Sequence, residues 1–155
     1  MAKSTILLLI FLYLTSTSYA QDYYKMKGVK RVIELLDKDV SEGKQEFPRC
    51  FEYIKKNSTS IKAEAIQIII DNDSISCFLA NVYEGDKSKP IVALLETINE
   101  IIYEGKVLNN QVCFLAGTFT YTNKLDEEKT VPVYYTLDRL NSIILEIFQL
   151  SQKQK

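Results

Sequence analysis

Three cysteines stand at positions 50, 77 and 113, and an acid follows each of them: Glu64, Glu96 and Asp138, at spacings of 14, 19 and 25. Thiols and paired carboxylates are the two reactive sets in the chain. A thiol acts as a nucleophile when a base takes its proton, and a carboxylate pair performs acid–base chemistry of the glycosidase kind. The chain contains no histidine. That absence removes Ser-His-Asp and Cys-His catalysis and imidazole metal ligation. No Cys-x-x-Cys, glycine-rich phosphate loop or Gly-x-Ser-x-Gly is present either. The acids recur at one position of a repeating pattern, as residues on a solvated helix face do, so bare-carboxylate hydrolysis is a minor rival. The expectation is a non-enzyme with no cofactor and no metal.

The cysteines head two near-identical stretches, "CFLA" at 77–80 and again at 113–116, with Cys50-Phe51 as a fainter copy. Such a repeat places them at equivalent points of neighbouring units, about 8–10 Å apart between helix axes, while a disulfide needs Cα atoms within about 7 Å. Buried free thiols are therefore expected, and Cys77–Cys113 is the pairing if one bridge forms. Two Asn-x-Ser/Thr triplets, at Asn57 and Asn72, match the N-glycosylation pattern and fall in expected loops.

The elements that would position these residues read as helices. "PIVALLETINEIIYE" (90–104) aligns with "PVYYTLDRLNSIILE" (132–146), and both carry apolar residues at i, i+3, i+4 and i+7. "AEAIQIIID" (63–71) and "GVKRVIELLD" (28–37) supply two further copies. Matched residues Val32, Ile66, Ile98 and Leu140 lie 34, 32 and 42 positions apart, the lengths of helix–turn–helix units. The pattern predicts an all-α protein of stacked helix-pair repeats, about seven helices, with short Cys-Phe helices between four Ile-rich ones. Gly117 and the β-branched threonines of "FLAGTFTYTN" leave an alternative open: an α+β fold with a small hairpin at 118–135 around "NKLDEEK".

The third connector of this repeat is the longest. It gathers Asp126, Glu127 and Glu128 between Tyr121 and the pair Tyr134 and Tyr135. Insertions in repeat arrays project as loops on a binding face, and Tyr with acids suits a basic partner. These six residues are the expected partner-binding set.

The N-terminus reads as a signal peptide over residues 1–20: Lys3, the apolar run "ILLLIFLYL", then small Ser18 and Ala20 before Gln21. Nine apolar residues rise about 13.5 Å as a helix, under half of a ~30 Å hydrocarbon core, so no membrane span is expected. Residues 21–155 then form a single helical domain, secreted or periplasmic. Net charge is −1 with scattered lysines, which argues against nucleic acid. The functional expectation is a small exported protein that binds another macromolecule, inhibitor-like or immunity-like. The alternative is a carrier of an apolar small molecule between its helices.

Overall fold

The structure is a computed structural model that describes residues 26–71 and 74–153. The signal-peptide reading and Asn72 fall outside the described residues. Among the described residues there are three helices and five strands: α1 (Lys27–Ser41), α2 (Pro48–Lys56), β1 (Ser58–Asp71), β2 (Ile75–Glu84), β3 (Ile91–Ile98), β4 (Val107–Thr122), β5 (Glu128–Thr136) and α3 (Leu137–Lys153). The all-α repeat of about seven helices is thus overturned. The described residues divide into two compact units, Thr59–Arg139 and the segments on either side of it.

The strand unit is a closed barrel in the order β1-β2-β3-β5-β4. β1, β2 and β3 form an antiparallel meander, β4 and β5 an antiparallel hairpin. A short parallel seam joins β3 to β5 through Leu94↔Val133, Leu95↔Tyr134 and Glu96↔Tyr135. Small and large side chains alternate in the lumen, as a narrow barrel requires. Ala63 and Ala65 of β1 and Ala80 and Ala93 of β2 and β3 make room for Ile61, Phe78, Leu95 and Tyr134. Register shifts at Ala65/Gln67 and Ile68/Ile70 mark two bulges in β1. A bulge bends a strand and raises its twist, which a long strand in a closed barrel needs.

Three physical reasons turn the expected helices into strands. In 58–71 the burial of Ile61, Ala63 and Ala65 alternates with exposed Lys62 and Glu64, a period of two. Its Ile66, Ile68, Ile69 and Ile70 are β-branched and stiff at χ1, which favours extended backbone. In β3, Ala93 to Thr97 are all buried, so both faces are covered. A continuous apolar run matches helical spacing without being helical. The third case is a composite: "PVYYT" is strand, and the helix begins only at Leu137. Thr136 Oγ1 accepts a hydrogen bond from Arg139 N at 3.4 Å there, as a cap would. The hairpin weighed as the alternative exists, pairing Thr118↔Pro132 through Thr122↔Glu128, but it is the tip of a five-stranded barrel.

In the helical unit, α1 is the amphipathic helix its periodicity predicts, with Val29, Val32, Ile33, Leu35 and Leu36 buried. Its Asp39 is fully buried because it caps α2 from outside that helix. Oδ2 accepts from Arg49 N at 3.0 Å and Cys50 N at 3.1 Å, and Oδ1 from Arg49 Nη1 at 3.2 Å. Phe47, which precedes α2, has φ 47° and supplies no side-chain cap, so Asp39 takes over that task.

Candidate functional site

The register of the barrel decides which chemistry-bearing side chains meet. Residues paired across neighbouring strands share a face. Cys77 pairs with Glu96, Glu96 with Tyr135, and Tyr135 with Phe114. These four form one row on the outside of the barrel wall, and all four are buried. Arg139, at the start of α3, donates from Nε to Glu96 Oε1 at 2.9 Å, with both side chains almost wholly enclosed. Thr136 Oγ1 donates to Thr97 Oγ1 at 3.4 Å beside them. Two hydroxyls and an ion pair thus tie β5 and the first turn of α3 to β3, where the parallel seam is only three residue pairs long. A buried ion pair compensates its own desolvation only with good geometry, and losing one partner strands the other charge.

The acids expected on one solvated face separate here. Glu64 and Asp138 are exposed, whereas Glu96 is buried against Arg139. Their equivalence rested on the helical repeat, and strand parity removes it. No carboxylate pair suited to acid–base work emerges from this trio.

The thiols are chemically quiet. Cys50, Cys77 and Cys113 are buried and free. Burial, with the Asp39 charge adding to it, pushes Cys50 up to about 11. Burial alone pushes Cys113 up to about 12. Cys77 is raised by burial first and by the Glu96 charge second, against a downward pull from Arg139. At neutral pH all three stay protonated, the poor nucleophilic form. Cys77 belongs to the outer row and Cys113 to the lumen cluster with Phe78 and Tyr134, so the barrel wall stands between the two.

At the end of the barrel where β2 stops, the hydroxyl of Tyr134 donates to Glu84 Oε2. Burial, then the Glu84 contact, raises the tyrosine, and that same hydrogen bond lowers Glu84. This pair closes the lumen with its polar groups matched. Sequence reasoning did not single out Glu84, Arg139 or Asp39. The one available signal for Arg139 was a cation set beside the apolar positions of "LDRLNSIILEIF".

The six expected partner-binding residues divide. Tyr134 and Tyr135 are buried at 3% and 0%, in the lumen and the outer row, and present nothing to a partner. Tyr121 is half-buried and stacks on Phe119 with ring centroids 6.1 Å apart. Asp126, Glu127 and Glu128 are exposed on the β4–β5 turn. Asn123 organises that turn: its Oδ1 accepts from Leu125 N at 2.8 Å and Glu127 N at 3.0 Å, and Nδ2 donates to Glu127 Oε2 at 3.2 Å. Leu125 stands out between the acids, 76% exposed. Asn57 ends α2, and the Nδ2 a glycan would occupy donates to the Tyr53 carbonyl at 2.9 Å.

The strand order defines the architecture: a closed five-stranded barrel in which β3 runs parallel to β5. On the outer face of β2 and β3, Cys77, Leu79, Leu94 and Glu96 are buried, while Tyr83 is half-buried and Val92 is 41% exposed. No protein-family model, curated protein or solved structure matches the chain. Among the described residues no helix is long and apolar enough to cross a membrane, and no group of three or more His, Cys, Asp or Glu is placed to hold a metal ion.

Proposed function

We propose that this is an exported protein that binds a macromolecular partner, with the β4–β5 turn as its contact. The observation that carries the reading is the turn itself. Asn123 fixes the backbone so that Leu125 projects beside Asp126, Glu127 and Glu128. A pre-ordered turn loses little conformational freedom on binding. Lys129 pairs with Glu127 at 3.5 Å, leaving Asp126 and Glu128 to act on a basic partner. The inhibitor-like and immunity-like forms of this function share that mode. The carrier alternative placed its ligand between stacked helices. Two of those helices, over 63–71 and 90–104, give strands β1 and β3 here, and Ile61, Phe78, Leu95 and Tyr134 fill the barrel lumen.

The test begins with capture of a partner from the native exported fraction by the full mature chain. Association kinetics then follow for wild type and the Asp126→Ser/Glu127→Ser/Glu128→Ser variant. Slower association with a flatter salt dependence is expected, because exposed charges act on encounter and are screened over about 8–10 Å. Leu125→Ser should speed dissociation. Unchanged rates in all of these variants, with folding intact, would reject the turn as the contact.

A further inference from the structure

The opposite end of the barrel presents a second surface with a different construction. The β3–β4 connection, residues 99–106, holds Ile102 in the core at 4% exposure while Ile101 is 80% and Tyr103 61% exposed. Backbone bonds fix that alternation. Asn99 N donates to Ser74 O at 2.8 Å, and Ser76 Oγ to Glu100 O at 3.2 Å. Lys106 N donates to Tyr103 O at 3.0 Å, closing a turn that has Gly105 at its third position with φ 87°. A side chain is strained there, and glycine is not.

Gly105 N then donates to Ala65 O at 2.8 Å and Ala65 N to Lys106 O at 2.9 Å. Two residues thus oppose one, as in a glycine bulge. The turn is thereby locked onto β1, where Glu64 and Ile66 are exposed on either side of buried Ala65. Ile66, Ile101, Tyr103 and Val107 are each at least 42% exposed.

Glu64, Asp71, Glu100 and Glu104 are exposed on the same segments as these side chains. Ser76 Oγ, bonded to both Asp71 Oδ1 at 3.3 Å and the Glu100 carbonyl, holds the β1 end against the loop. The cation of the loop, Lys106, is engaged by Glu100 at 3.4 Å and lies 5.9 Å from the Tyr103 ring centre. Lys62 of β1 lies over the Tyr83 ring of β2 instead. An apolar centre inside a charged rim is the anatomy of a protein interface, and rigidity lowers the cost of using it. The sign of the rim disfavours nucleic acid and anionic lipid and favours a cationic partner.

We infer that the β3–β4 turn, through Ile101 and Tyr103, docks a basic amphipathic protein segment. This surface does not rest on the β4–β5 turn reading, which concerns the other end of the barrel. The probe is a fluorescent helical peptide of leucine and lysine, with a leucine–glutamate peptide as its control, titrated by anisotropy against the full mature chain. Saturable binding of the lysine peptide alone is expected. Ile101→Ser and Tyr103→Ser should each weaken it about tenfold, as loss of a packed anchor does. Glu100→Gln/Glu104→Gln should weaken it mainly at low salt and flatten the salt dependence.

All four positions are exposed, so the urea midpoint should stay at the wild-type value and separate binding loss from unfolding. The inference is overturned by absence of saturable binding, by equal binding of the glutamate peptide, or by unchanged affinity in the Ile101 and Tyr103 variants. Loss confined to the Asp126→Ser/Glu127→Ser/Glu128→Ser variant would also overturn it, while leaving the β4–β5 turn reading intact.

Discussion

The tetrapeptide Cys-Phe-Leu-Ala occupies β2 and β4 with its inside and outside exchanged. In β2, Phe78 fills the lumen and Cys77 lies in the outer row beside Glu96. In β4, Cys113 fills the lumen and Phe114 takes the outer row opposite Tyr135. Identical residues thus serve opposite faces, because strand parity and not residue type assigns the side. Both faces are apolar at these points, so either parity buries the Cys, Phe and Ala side chains. The repeat in the sequence is therefore no repeat in the structure.

The sharpest way to break this comparison is through Glu96, the charged partner of the β2 copy. Glu96→Gln or Arg139→Met should each cost about 3–5 kcal/mol, since either leaves a buried charge without its counter-charge. Urea unfolding of the two single variants and the double variant measures it, and the double should cost less than the two summed. Additive costs would mean the pair does not couple, and the outer row would lose its polar anchor.

Leu95 and Leu137 were equivalent under the helical repeat and are not so in the barrel. Leu95 is fully buried and Leu137 is 41% exposed. Leu95→Ala should cost about 2–5 kcal/mol, and Leu137→Ala under about 1 kcal/mol. Similar costs for both would restore the repeat. Within the tetrapeptides, Leu79 is buried while Leu115 is 43% exposed. Leu79→Ala should therefore lower the urea midpoint clearly more than Leu115→Ala does, and the reverse order would invert the assigned faces.

The smallest effect concerns the thiols at high pH. Cys113 is raised from 9.0 to about 12 by burial, so the folded state keeps a proton that the unfolded state gives up. The sign follows from linkage: stability contributed by the protonated thiol is complete below about pH 9 and lost as pH rises towards 12. Cys113→Ala should flatten the loss of stability over that window in urea titrations at pH 8–11. Near pH 7 all three thiols should resist a maleimide until the chain is unfolded. Full labelling of the native protein would place at least one thiol outside the core.

How much was legible in the sequence varies by element. α1 was, because its stripe is flanked by charges and helical spacing admits one reading. The cysteines are free and buried, but the helical-repeat spacing from which that was expected does not exist in the barrel. Segment 90–104 was not, since β3 is covered on both faces and its apolar run satisfies both periods. The pair Tyr134-Tyr135 was read as surface anchors because aromatic residues beside acids look like a paratope. Whether such residues face solvent depends on register with β3, which is 36 or more positions away.

What the sequence by itself determined is local. It includes the absence of imidazole chemistry and the amphipathic first helix. Each follows from residue type or from spacing within about one turn of chain. Only the tertiary structure decided the rest: the barrel, the exchange of faces between the two tetrapeptides, and the meeting of Glu96 with Arg139, 43 positions apart. Those depend on strand pairing between distant segments. A run that is apolar on both faces carries no mark of its period, so its partners decide what it becomes.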